Sequence, residues 1–247
     1  ALTATIAVDA LGSNNVVGVA LPSKYNTEES LVDARLLAEN LDIEFKVIEI
    51  EEIVNIFRNT LKESVNDELG QITDENIQSR VRGNILMALS NQTGAMVVST
   101  GNKSEMAVGY STLYGDLAGG FALLKDLYKT EVYNLANFRN SISSVIPQNT
   151  IDKEPSAELR PDQFDKDSLP EYELLDEILR MYIEEDSSSE KIISKGIDEN
   201  IVYDVLSKVD RNEYKRKQVA PGVKLTEKAF GKDRRMPITN TYIRERG

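Results

Sequence analysis

The sequence predicts a doubly wound α/β fold in which parallel strands alternate with helices. Three observations carry that reading. Short apolar runs of strand length recur between longer stretches with helical apolar spacing. The helical stretches are long enough to serve as crossovers between parallel strands. The third strand-like run ends abruptly in a polar turn, where sheets of this kind keep their ligands.

The elements follow in order. "ALTATIAVDALG" opens without Met and with helical spacing from its first residues, so it reads as cut into an element whose preceding strand and loop are not given. Asn14 to Leu21 reads as a buried strand, and Pro22 to Asn26 as the loop after it. Thr27 or Asn26 then caps a helix with Glu28 and Glu29 in its first turn, where the helix dipole favours them, and with Leu31, Ala34, Ala38 and Leu41 on one face. Phe45 to Ile50 is a second strand, and a helix is expected around Val54 to Glu63. Glu75 to Ser90 is helical with Ile77, Val81, Ile85, Leu86 and Leu89 inward, and Ala95 to Ser99 is a third strand. A helix over Thr130 to Phe138 precedes a Pro-punctuated loop. An amphipathic helix carrying Leu174, Leu175, Ile178, Leu179 and Ile183 comes next, then a short helical pair from Ser189 to Asp210 and a basic tail.

Composition narrows the chemistry. The chain has 247 residues, enough for a sizeable core, and a formal net charge of −12, which argues against a general nucleic-acid or membrane-surface binder because both are polyanions. Cysteine and histidine are both absent. Ser-His and Cys-His hydrolases, zinc deaminases and HExxH proteases are thereby excluded, since each needs an imidazole or a thiolate. Carboxylates, lysines, hydroxyls and bound ligands remain. No apolar run reaches the length of a membrane helix and no secretory signal is visible, so a cytoplasmic protein is expected.

Several segments allow two readings. Glu105 could hold Mg²⁺ opposite nucleotide phosphates, or cap and solvate a helix. Thr100 could meet ATP or serve as the cap itself. "GYSTLYGDLAGGF" holds four of the chain's 14 glycines and permits close backbone approach to a ligand, or is a plain loop. Lys129 near a helix start opposes the dipole, so a phosphate partner would explain it, whereas a solvated surface lysine would not need one. "EPSAELRPDQFDKDSLPEY" is an acidic surface loop, or, by its length, a lid or binding loop. The basic residues of "EYKRKQ" suit an anionic substrate or a solvated helix end.

Read in order, "PSKYNTEESLVDARLLAENL", "ENIQSRVRGNILMALSN", "STGNKSEMAVGYSTLYGDLAGGFALLKDLYKT", "EPSAELRPDQFDKDSLPEYELLDEIL", "EYKRKQVAPGVKLT" and "AFGKDRRMPITN" together resemble NAD synthetase, most closely the synthetase domain of the glutamine-using type. The resemblance covers residues 1–247 as one domain. It implies the N-type ATP pyrophosphatase fold, a Rossmann-like five-stranded parallel sheet with flanking helices (adenine nucleotide alpha hydrolase-like), and a homodimer. It also implies a reaction in which ATP and Mg²⁺ adenylate the carboxylate of deamido-NAD, pyrophosphate leaves, and ammonia displaces AMP. Activation is the logic, because a carboxylate resists nucleophiles and an acyl-adenylate does not. By the same resemblance Thr100, Lys129 and Ser156 correspond to ATP contacts and Glu105 to a metal-binding glutamate close to the reacting carboxylate. Asn76 and Arg80 correspond to deamido-NAD contacts reached across the dimer, and Tyr214 and Lys215 to a late pair of substrate contacts. Glu105 and Lys129 are the expected catalytic residues.

Two departures qualify this. The SGGxDS loop that cradles the phosphates is not in the sequence, and "ALTATIAVDALG" resembles the segment directly after it. The strand and loop are therefore expected ahead of Ala1, and activity is not expected of these residues without them. Ammonia-only members carry a lysine before their YGD where Leu113 stands here, which supports the glutamine-using branch. With no cysteine present, a separate glutaminase domain or free ammonia must supply nitrogen. The rivals are another amidotransferase of the same superfamily, of the GMP-synthetase kind, and a non-catalytic nucleotide-binding module.

Overall fold

A computed structural model describes residues 1–65 and 67–239; residues 240–247 of the basic tail lie outside the described residues. The opening helix α1 (Leu2–Leu11) ends at Gly12, and a 3-10 turn over Ser13–Asn15 leads into β1 (Val17–Ala20). The strand thus starts later than the expected Asn14, because Asn15 turns its side-chain amide back to the Leu11 carbonyl at 2.8 Å. Helix α2 (Glu28–Asn40) is capped by Thr27, whose side chain accepts from Ser30 N, with Glu28 and Glu29 in the first turn as expected. Strand β2 (Glu44–Val47) is followed by α3 (Glu51–Val65) and the long α4 (Gln71–Thr93).

A two-residue strand β3 (Val98–Ser99) feeds the short helix α5 (Lys103–Val108), and β4 (Phe121–Ala122) precedes α6 (Lys129–Ile142). Then come α7 (Gln148–Asp152), α8 (Tyr172–Ile183), α9 (Ser189–Ile193), α10 (Glu199–Arg211) and α11 (Glu213–Arg216). The helical pair expected between Ser189 and Asp210 is thus α9 and α10.

The strands pair in parallel, which fits the α/β class, but as two separate pairs. Val17 to Ala20 run alongside Glu44 to Val47, and Val98–Ser99 alongside Phe121–Ala122. A single five-stranded sheet is not formed among the described residues. The hydrogen bonds of β3 go to β4, a two-residue strand at the end of the glycine-rich segment.

The chain divides into two compact units, one of Ala1–Thr93 with Tyr133–Ser168 and the other of Gly94–Val132 with the residues from Leu169 onward. In the first, Ile50, Val54, Ile77 and Val81 form a core that α3 and α4 share. Arg58 on α3 bridges to Asp74 on α4 through Nε at 2.5 Å and Nη2 at 2.9 Å. In the second, α8 presents Leu175, Ile178, Leu179 and Ile183 to Val202, Val205, Leu206 and Val209 of α10, all wholly buried. Burying a side chain of this size contributes about 1.5–3 kcal/mol. Helix α5 packs on both α8 and α10, and the start of α6 is tied to α8 through the Thr130–Asp176 hydrogen bond.

Candidate active site

The turn after β3 is built around Asn102. Its side chain accepts from Glu105 N at 3.0 Å, and the Glu105 carboxylate accepts from Asn102 N at 3.1 Å, a reciprocal capping box that satisfies two donors at the start of α5. The capping role weighed for Thr100 therefore belongs to Asn102, and Thr100 stands exposed at the strand end. Glu105 does cap, but it does more. Its other oxygen accepts from Lys129 Nζ at 3.1 Å, with the two side chains only 20% and 18% exposed.

Lys129 is the first residue of α6, where a cation opposes the helix dipole. Glu105 offsets that cost, and the Tyr172 ring lies 5.1 Å from the ammonium, within cation–π range. The backbone N–H of Lys129 donates to Ser104 Oγ at 2.9 Å. Two residues that the sequence sets 24 apart thus meet as a fixed acid–base pair.

The "EYKRKQ" segment is not the basic surface its composition suggests. Arg216 is buried, pairs with Glu213 at 3.0 Å, donates to the Ala107 carbonyl at 2.7 Å and lies 4.8 Å over the Phe230 ring. Lys215 Nζ donates to the carbonyls of Gly109 at 2.6 Å and Ser111 at 2.8 Å, so it holds the glycine-rich loop in shape. Burial pulls its pKa below the ordinary lysine range, against the opposing charge of Asp116. Tyr214, its neighbour, is 44% exposed.

Ser156, Asn76 and Arg80 belong to the first unit. The Ser156 hydroxyl donates to the Gln163 carbonyl at 2.5 Å and accepts from Glu158 N at 3.0 Å, closing its own loop. That loop is anchored further by Glu158, which accepts from Asn26 at 2.8 Å, Ser30 at 2.6 Å and Lys153 at 2.8 Å. Burial raises the Glu158 carboxyl, but these donors outweigh it and hold the pKa below the usual carboxylate range. This segment, by its sequence an acidic surface loop or a lid, is therefore anchored through Ser156 and Glu158. Asn76 and Arg80 stand four residues apart on α4, on one face of the helix, with Arg80 exposed and Ile77 and Val81 turned to the core.

Sequence reasoning missed three buried ionic groups around the Glu105–Lys129 pair. The ammonium of Lys103, wholly buried, donates to Glu184 at 2.9 Å, Thr226 Oγ1 at 2.6 Å and the Lys228 carbonyl at 3.0 Å, and lies 3.1 Å from Asp126. Asp126 also accepts from the backbone N–H groups of Leu225 at 2.7 Å and Thr226 at 2.8 Å. Burial pushes its carboxyl up, yet those N–H groups and Lys103 bring it below the usual range. The third group, Asp176, is 1% exposed and accepts from Ser104 and Thr130; here burial dominates and raises the pKa.

Among the described residues there is no cluster of three carboxylates that could cage a metal. Mg²⁺ does not require one, because it is commonly held by one or two carboxylates together with substrate phosphates and water. The Glu105 carboxylate, one-fifth exposed and with lone pairs left after its two hydrogen bonds, fits that pattern. Among the described residues no helix is long and apolar enough to cross a membrane.

Comparison with known proteins gives a consistent result. The chain is 54% identical over 241 residues to the glutamine-dependent NAD(+) synthetase of Aquifex aeolicus, covering 98% of this chain and 42% of that protein. The solved glutamine-dependent NAD+ synthetase of Acinetobacter baumannii in complex with ADP superposes with a TM-score of 0.61 at 47% identity, covering 96% of this chain and 43% of that one. The NH3-dependent NAD synthetase of Campylobacter jejuni superposes with a TM-score of 0.68 at 29% identity, covering 87% and 80%. The chain spans less than half the length of the curated relatives it matches. The family model of NAD synthase matches residues 1–219, and the chain belongs to the NAD synthase family.

Proposed function

We propose that this chain supplies the synthetase chemistry of an enzyme that amidates deamido-NAD to NAD, consuming ATP and releasing AMP and pyrophosphate. The observation that carries the reading is the Glu105–Lys129 pair at 3.1 Å, set in the turn after a parallel strand and at the start of α6. In this role Lys129 meets the ATP phosphates. Its ammonium is already desolvated and oriented by Glu105 and Tyr172, so little reorganisation accompanies phosphate binding. Glu105 faces the reacting carboxylate and would hold Mg²⁺, which supplies neutralisation of phosphate charge when bound. Thr100, at the strand end, and Ser156 contact ATP; Asn76, Arg80, Tyr214 and Lys215 contact deamido-NAD. Lys215 does so while shaping the Gly109–Ser111 loop.

Catalysis then rests on positioning and electrostatics, and the absence of His and Cys costs it nothing. Ammonia is the attacking nucleophile. Leu113 and the glutamine-dependent names of the relatives favour glutamine as its source, through a glutaminase domain. The enzyme works as a homodimer in the cytoplasm.

The test uses the full-length protein with ATP, Mg²⁺, deamido-NAD and either ammonium or glutamine. Formation of NAD with equal amounts of AMP and pyrophosphate is expected, with a loss of about tenfold or more in Glu105→Gln, which keeps the shape and removes the charge. A protein that binds ATP and releases no AMP is a nucleotide-binding module, and the proposal fails.

A further inference from the structure

The Glu105–Lys129 pair is held from behind by one side chain. Asp176, on the α8 platform and almost wholly buried, accepts from Ser104 Oγ at 2.5 Å through one oxygen. Through the other it accepts from Thr130 N at 2.9 Å and Thr130 Oγ1 at 2.8 Å. Ser104 precedes Glu105, and Thr130 follows Lys129. The same Ser104 hydroxyl accepts the backbone N–H of Lys129 at 2.9 Å. A single carboxylate therefore ties together the two backbone segments whose side chains meet in front of it.

The neighbours of Asp176 on α8 act on the same segments. Tyr172, one turn earlier, lies under the Lys129 ammonium at 5.1 Å. Arg180, one turn later, pairs with Glu131 at 3.4 Å and stacks over Tyr128 at 4.9 Å. Residues spaced by four share one face of a helix, so α8 offers a row of three polar contacts along a stripe that is otherwise apolar. The polar residue in the middle of that row is almost wholly shielded from solvent and sits between the first turns of α5 and α6. All its hydrogen bonds go to the residues flanking the pair.

We propose that Asp176 is the positioning residue of the site: it fixes the spacing of Glu105 and Lys129 before substrate arrives. This rests on the reading of that pair given above. A displacement of about 1 Å in a reacting group can cost on the order of a hundredfold in rate, so a carboxylate that never touches substrate still acts on turnover.

Asp176→Asn has one acceptor oxygen where the carboxylate has two, and cannot satisfy Ser104 and Thr130 together. In the full-length enzyme its kcat should fall by about ten- to a hundredfold, with a smaller change in KM for deamido-NAD and an unchanged circular dichroism spectrum. The discriminating measurement is a double-mutant cycle with Lys129→Ala. If Asp176 acts through Lys129, adding Asp176→Asn to Lys129→Ala costs less than about threefold further. A purely structural residue would give effects that multiply, and that result overturns the positioning role, as does a folded Asp176→Asn with normal kcat. If Lys129→Ala alone turns over normally, the reading of the pair fails first and the inference falls with it. Should Asp176→Asn not fold, Thr130→Val removes one of the three hydrogen bonds, keeps the volume, and is subject to the same cycle with the same two outcomes.

Discussion

Replacing Lys103 by Met removes an ammonium from a site with no access to water and keeps most of the side-chain volume. Three hydrogen bonds vanish, to Glu184, Thr226 and the Lys228 carbonyl, and Asp126 loses the cation 3.1 Å away. Removing one partner of a buried ion pair typically costs about 3–5 kcal/mol, because the other charge stays behind. Asp126 keeps the N–H groups of Leu225 and Thr226 and the Thr226 hydroxyl, and Glu184 is partly exposed, so the lower end, about 3 kcal/mol, is expected here. With a urea dependence of about 3 kcal/mol per molar for a chain of this size, the unfolding midpoint should drop by about 1 M. Far-ultraviolet circular dichroism reads the transition, since the chain has no Trp. Lys62→Met is the control: its ion pair with Glu68 is largely solvated and should leave the midpoint in place. A Lys103→Met midpoint within about 0.3 M of the parent would show that the buried cation is no better than an apolar side chain, and the argument would be refuted.

Arg80→Ala should raise the deamido-NAD requirement much more than the ATP requirement, with light scattering unchanged. Mixing it with Glu105→Gln should restore activity if each site draws on two subunits, and demonstrated subunit exchange without recovery would contradict that. Gly109→Ala should destabilise by about 1–3 kcal/mol in thermal melts, because Gly109 has φ of 73° and an added Cβ would fall 2.2 Å from the Asn212 side chain. A melt equal to the parent would show that Asn212 yields freely. The Arg58 hydrogen bond holds Asp74 below the usual carboxylate range, so its folded pKa lies under its unfolded one. The stabilisation is then present above about pH 4 and lost as pH falls further. The stability gap between the parent and Arg58→Met should narrow on acidification, and a gap constant with pH would exclude the linkage.

What the sequence revealed was what local rules encode. The Thr27 cap, the acidic first turn of α2 and the apolar stripe of α8 depend on residues within a few positions of one another. Strand β4 was hidden because a two-residue strand among glycines has no period to read, and only its partner 23 residues earlier defines it. Glu105 and Lys129 stood out from their own positions, the resemblance chose between their two readings, and their contact follows from the fold. Lys103 and Asp126 look like solvent-facing charges in polar turns, and their burial depends on a segment about a hundred residues away. Asp176 did leave a mark: a carboxylate on the stripe that also carries Leu175 and Leu179 must have a buried partner.

The reach of Lys103 has a consequence for synthesis. Its ammonium finds Thr226 and Lys228 at separations of 123 and 125 residues, so on the ribosome it emerges long before either. Until then a lysine and an aspartate destined for the interior have no complete set of partners, and the nascent second unit gains nothing by closing early over them. The segment around Thr226 acts as a late clasp. Chains truncated and released short of it should be substrates for proteases and chaperones, while chains that include Thr226 and Lys228 resist them.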